Sequence, residues 1–106
     1  MLPKTNRLSK KNDFEMVFKK GKSFKEDFLI LRFVYNKIKR TRFGIIVSQK
    51  ISKKATVRNK IKRMIRAVVR SRTSGIKKGA DIVFLALPGL ENKDFWEIEK
   101  TINKLF

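Results

Sequence analysis

Ala55-Thr56-Val57-Arg58-Asn59-Lys60-Ile61-Lys62-Arg63-Met64-Ile65-Arg66-Ala67-Val68-Val69-Arg70 is the stretch around which the chain is organised. Wound at about 100° per residue, it puts Val57, Ile61, Met64, Ile65 and Val68 on one side and Arg58, Asn59, Lys62, Arg63, Arg66 and Arg70 on the other. The apolar spacing predicts a helix packed on a core. The cations at 58, 62, 66 and 70 stand one turn apart in a single row, and each like-charged pair costs roughly 0.2–0.5 kcal/mol in isolation. A merely solvated face mixes its signs; this one has no acid, which points to a polyanion lying against it.

The rest of the composition agrees. In 106 residues, 28 Lys and Arg face 9 Asp and Glu, a formal charge of +19. From residue 28 to residue 80 there are 17 cations and no acid at all, so the middle of the sequence is the electrostatic footprint. The balance implies nucleic acid as partner, with an anionic membrane far behind. The length fits one domain spanning residues 1–106 with a single core. There is no Cys and no His, which removes disulfides, thiolate metal sites, and the commonest general base and zinc ligand. No apolar run approaches the length of a membrane span or a signal peptide, so the cytoplasm is the expected location.

Outward from the central helix, the chain reads in both directions. Residues 1–8 form a basic arm. Ser9 is a candidate cap for a first helix, and Gly21 a candidate left-handed terminator of it. Within that helix Phe14, Val17 and Phe18 share a face, either as core or as rings for stacking on unpaired bases. Residues 27–35 read as a central strand with Leu29, Leu31, Phe33 and Tyr35 on one face and Phe28, Ile30, Arg32 and Val34 on the other. Arg32 marks part of the second face as open to solvent or a ligand. Residues 36–41 read as a basic hairpin loop and 42–48 as the returning strand, with Gly44 at a bulge or close backbone approach. Ser52 and Thr56 are both candidate caps for the basic helix, which should end near residues 73–75. Residues 80–87 read as a buried strand. Asn92 is the candidate cap of a last helix whose stripe is Phe95, Ile98, Ile102 and Leu105, with Trp96 at its partly buried edge. The order is α-β-β-α-β-α, an α+β sandwich.

A metal-dependent nuclease needs clustered carboxylates. Asp13, Glu15, Asp27, Asp81 and Asp94 form no recognisable constellation, and Asp81 reads as a turn or capping residue. No phosphate loop or dinucleotide fingerprint occurs. Helix-turn-helix reading of duplex DNA does not fit a basic helix set between a hairpin and a strand. An RNA-binding α+β domain fits, with no catalytic residue and no metal ligand of its own.

The run Arg58-Asn59-Lys60-Ile61-Lys62-Arg63-Met64-Ile65-Arg66 resembles the signature helix of one family, the protein subunit of bacterial ribonuclease P. Asn6-Arg7-Leu8, Asp13-Phe14 with Val17-Phe18 and Gly21, Arg42-Phe43-Gly44, Val47-Ser48 and Asp81-Ile82-Val83 match as well. Four positions depart from the family pattern. Lys60 replaces the last Arg of the signature and loses its bidentate fork; Gln49 stands where Lys is usual, Leu87 where Arg is usual, and Leu31 where relatives can carry Tyr. The resemblance implies a fold like the second domain of a small-subunit ribosomal protein, with a left-handed βαβ crossover. It also implies a division of labour. A catalytic RNA, one per protein, holds divalent magnesium and removes the 5′ leader from precursor tRNA. The protein contacts that RNA through Arg58, Asn59, Lys60, Lys62, Arg63 and Arg66, and holds the leader in a cleft lined by Phe14, Phe18 and Arg32. A ribosomal or RNA-chaperone protein that binds structured RNA without linked catalysis is the alternative, and a carboxylate-metal nuclease acting alone a third.

Overall fold

The computed structural model describes residues 8, 10–38, 40–72 and 79–105. The expectations for the basic arm, the Ser9 cap, Lys39 and the end of the basic helix beyond residue 72 lie outside these residues. The elements are α1 (Lys11–Lys20), β1 (Lys22–Glu26), β2 (Leu29–Tyr35), β3 (Arg42–Ile46), α2 (Ala55–Arg72), β4 (Ala80–Ala86), a single 3-10 turn (Leu90–Asn92) and α3 (Phe95–Leu105).

The four strands form one mixed sheet in the order β1-β2-β4-β3. β1 and β4 both run antiparallel to β2, whereas β3 and β4 are parallel and are joined through α2. Two expectations change here. β2 and β3 are not a hairpin, because β4 lies between them; the basic loop at 36–41 is a crossing rather than a tight return. And residues 22–26, which carry no apolar alternation, are a strand. Its hairpin with β2 turns at Asp27, whose φ of 49° is left-handed, a conformation that Asp tolerates better than most residues. Thr101 of α3 donates its hydroxyl to the Asp27 carboxylate at 3.3 Å.

Alternation along the strands sorts the sheet into two faces. Leu29, Leu31, Phe33, Phe43, Ile45, Ile82 and Phe84 face α2 and α3 and meet Ile61, Ile65, Val68, Val69, Ile98 and Ile102 in the main core. Phe84 is fully buried there and stacks on Phe43 at 6.3 Å. On the opposite face Val83 packs with Leu8 and Val17 in a smaller cluster that Phe14, Val34, Ile46 and Leu85 flank. That face carries α1.

Helix ends also differ from the sequence reading. Gly21 has φ −75° and ψ 153°, an extended conformation. The position suits glycine for space instead, since a Cβ there would lie 2.3 Å from the Val17 carbonyl oxygen and 2.8 Å from that of Phe33. Asp94, not Asn92, caps α3: its carboxylate accepts from the Glu97 amide at 2.9 Å while Glu97 reaches back to the Asp94 amide at 3.3 Å, a reciprocal capping box. Asn92 belongs to the preceding 3-10 turn. Trp96 is exposed rather than at a buried edge.

Candidate nucleic-acid interface

The first surface is the outer side of α2. Ile61, Ile65, Val68 and Val69 are buried; Asn59, Lys60, Arg63 and Arg70 are exposed; Arg58, Lys62 and Arg66 are half-buried. Burial of Val69 turns the helix toward its cation row, so Arg58, Lys62 and Arg66 are partly covered while Arg70, Arg63 and Asn59 stay exposed. The six residues expected to contact RNA therefore do not form one uniform face. Arg58 is already engaged, donating from one terminal nitrogen to the carbonyls of Ser52 at 2.9 Å and Lys53 at 3.0 Å. It holds the approach to α2 in place. Ser52 itself accepts at 3.2 Å from the amide of Lys54, the residue just before the helix begins. Lys60 stands on the opposite flank, at the rim of a groove lined by Val57, Met64 and Phe95. Arg63, with Lys62 and Arg66 beside it, is the centre of the cationic surface.

The second surface lies under α1, on the other side of the sheet. Phe14 packs into the smaller core, and its ring occupies the space above Gly44: a Cβ on Gly44 would come within 2.5 Å of it. What crowds Gly44 is thus a side chain, where the sequence pointed to a bulge or another stretch of backbone. Phe18, one turn further along, is 39% exposed, while its neighbour Val17 is fully buried. Arg32 lies over the Phe18 ring, 5.5 Å from its centroid, and donates to the Phe18 carbonyl oxygen at 2.6 Å. Its Nε is buried with no hydrogen-bond partner among the described residues. Beyond Arg32 the face continues through half-buried Ile30, Leu85 and Ile46. The result is a partly open strip, the trough, with an aromatic and a guanidinium at one end and half-buried aliphatic side chains beyond. Of the three expected cleft residues, Phe18 and Arg32 are in contact and partly open, and Phe14 is largely structural. Leu31 is buried on the opposite face, so it does not reach this trough.

α1 is tied to the sheet by a polar cluster that the sequence reading missed. Arg42 donates from Nε and a terminal nitrogen to the two oxygens of Asp81 at 2.9 and 2.8 Å, and from its other terminal nitrogen to Asp13 of α1 at 3.2 Å. Asn36 donates to the same Asp81 oxygen that takes the Arg42 Nε. The hydrogen bond to Asp81 raises the Arg42 pKa above its ordinary value; burial opposes the rise, and the charges of Asp81 and Asp13 add to it. Asp81 is therefore a buried ion-pair partner, not a turn or cap. The signal that could have found it is its position opposite a cation on a neighbouring strand, which becomes visible only once β3 and β4 are known to pair.

Among the described residues no three of Asp, Glu, His and Cys come together in a way that could hold a metal ion. No described helix is long and apolar enough to cross a membrane.

Comparison with known proteins agrees with the geometry. A family model described as Ribonuclease P matches residues 2–106. The chain is 48% identical over 88 residues to the ribonuclease P protein component of Synechocystis, an alignment covering 82% of this chain and 71% of that protein. It is similar in structure to the RNase P protein of Staphylococcus aureus, with a TM-score of 0.87 at 32% identity over 93% of this chain and 90% of the other. The RNase P protein of Thermotoga maritima superposes with a TM-score of 0.83 at 36% identity, covering 93% of each chain.

Proposed function

Because the chain belongs to the ribonuclease P protein family, we propose that it assembles with a catalytic RNA through α2 and guides the single-stranded 5′ leader of precursor tRNA through the trough under α1. The family gives it a ribonuclease P role in tRNA processing. The finer division of labour is the part we add. The observation that carries it is the separation of two chemically different surfaces on opposite sides of one sheet. Arg63 and its neighbours offer planar forks and point charges suited to phosphates and base edges. Phe18 and Arg32 offer a ring face and a cation suited to an unpaired base and its phosphate.

In this reading the bond is cut by the RNA subunit in the cytoplasm. Divalent magnesium, held mainly by that RNA, supplies the activation of water at the scissile phosphate. The protein's residues bind and orient: α2 fixes the protein on the catalytic RNA, and the trough fixes the leader relative to the bond that breaks.

Two sets of variants test it. Arg63→Ala with Arg66→Ala should weaken assembly with the catalytic RNA whatever the substrate. Phe18→Ala should leave assembly intact and weaken only substrates that carry a leader, by roughly 1–3 kcal/mol if one base stacks. Thermal unfolding is measured on the same proteins. If Phe18→Ala melts the fold, or weakens leaderless and leader-bearing tRNA alike, Phe18 is a packing residue and the trough assignment is wrong.

A further inference from the structure

Three aromatic rings lie on the α2/α3 face of the sheet, at its β1 corner. Phe24 of β1 stacks on Phe33 of β2 with centroids 5.9 Å apart and planes 11° from parallel, and Tyr35 meets Phe33 edge-on at 5.6 Å. Phe33 is anchored against the main core, but Phe24 is 50% and Tyr35 64% exposed. Core packing does not account for two rings this exposed on either side of Phe33.

The register shows what surrounds them. β1 is the outermost strand on this side of the sheet. Lys22 pairs with Phe33 and shares the aromatic face, whereas Ser23 and Lys25 pair with Arg32 and Ile30 and share the face of the trough. The β1 edge therefore carries a cation on each side. Glu26, the acid on the aromatic side, is engaged by Lys104 at 3.5 Å. A chain leaving Phe18 and Arg32 has only β1, one strand spacing of about 4.8 Å, to cross before it reaches Phe24.

We infer that the distal part of the leader, the unpaired nucleotides beyond those held at Phe18, turns over the β1 edge and stacks its bases on Phe24 and Tyr35. This rests on the trough reading above. Ring faces accept any base, and Lys25 and Lys22 meet the phosphates before and after the turn. An exposed strand edge also invites a second copy of the same chain, but Lys22 and Lys25 and a net charge of +19 oppose that occupant and favour a polyanion.

The complex of this protein with its catalytic RNA is titrated with two precursor tRNAs, one with a leader of about four nucleotides and one of about twelve, both within the span such platforms track. Phe24→Ala with Tyr35→Ala should weaken the long-leader substrate about tenfold and leave the short one unchanged, with the unfolding midpoint preserved and Tyr35→Phe behaving as the parent. A photoreactive thiouridine at the far end of the long leader should cross-link to the peptide holding Phe24 or Tyr35. Phe18→Ala, run in parallel, should weaken both substrates. If the double variant binds both as the parent does while Phe18→Ala remains impaired, the turn over β1 is wrong and the trough stands. A silent Phe18→Ala sinks the trough and this inference together. Equal weakening of both substrates by the double variant, or a shift in its sedimentation without a change in leader affinity, assigns the rings to the catalytic RNA or to self-association and overturns the inference.

Discussion

Arg42 on β3 clasps Asp81 on β4 through two parallel hydrogen bonds, and its remaining arm reaches Asp13 on α1. One guanidinium thus joins the parallel strand pair to the helix that roofs the trough. The Arg42 and Asp81 side chains are only 18% and 6% exposed, against 27% for Asp13. Asp81→Ala should leave a half-buried cation with one weaker partner and cost about 3 kcal/mol, near the lower end for broken buried pairs. Asp13→Ala should cost about 1 kcal/mol or less, since the clasp on Asp81 survives. Urea unfolding of the two variants gives the comparison; equal losses would mean that Asp13 carries as much of the clasp as Asp81.

The capping box at the start of α3 makes a second contrast. Asp94→Ala removes the acceptor for the Glu97 amide and should cost about 1 kcal/mol. Asn92→Ala, at the residue that the sequence favoured, should be close to neutral. The difference is read from denaturation midpoints, and a reversed order would put the cap back at Asn92.

Gly44→Ala should act at a distance from its own strand. The added methyl has to displace the Phe14 ring that fills the space above it, an overpacking that costs about 1–3 kcal/mol. Because Phe14 and Phe18 are one turn apart on α1, the shift should also lower affinity for leader-bearing substrate more than for leaderless tRNA. Loss of stability with no such discrimination would show that the two rings move independently.

Affinity for structured RNA should fall steeply with salt, log K changing with log salt by about 0.7 to 0.9 per phosphate contact. The 17 cations between residues 28 and 80, of which Arg42 is taken up by Asp81 and Asp13, are the reason. Arg63→Ala with Arg66→Ala should flatten the slope by about one to two units, whereas Phe18→Ala should leave it unchanged. A flat dependence in the parent protein would remove the electrostatic account of α2.

What the sequence disclosed and what it withheld follow from range. The α2 helix was legible because its apolar and cationic residues alternate within a turn, and β2 and β4 because each is a short run of branched and aromatic residues. Phe14 and Phe18 were named from their shared helix face and the family resemblance, and Arg32 as the polar break in a strand face; the contact between Phe18 and Arg32 is made only once α1 sits on the sheet. β1 was missed because Lys-Ser-Phe-Lys-Glu has no apolar alternation; its strand identity comes from pairing with β2 and a left-handed Asp27, neither visible in four polar residues around a single Phe. The β2–β3 hairpin was misread because the insertion of β4 between them is set by packing residues some forty positions away. The half-burial of Arg58, Lys62 and Arg66 escaped for a related reason: a helical wheel fixes which residues share a side, but only the sheet fixes which way that side turns.

The strand order has a consequence for the chain as it is made. β4 separates β2 from β3, yet it leaves the ribosome last of the four, after the whole of α2. Until residues 80–86 emerge, β3 has no sheet neighbour and the apolar side of α2 has little to cover it, so this most basic part of the chain waits unfolded beside ribosomal RNA. Such non-local closure makes for slow folding. Maturation of the protein is thereby timed by the appearance of a seven-residue segment near its end, and truncation just before that segment should release a chain that adheres to RNA indiscriminately instead of a partly working domain.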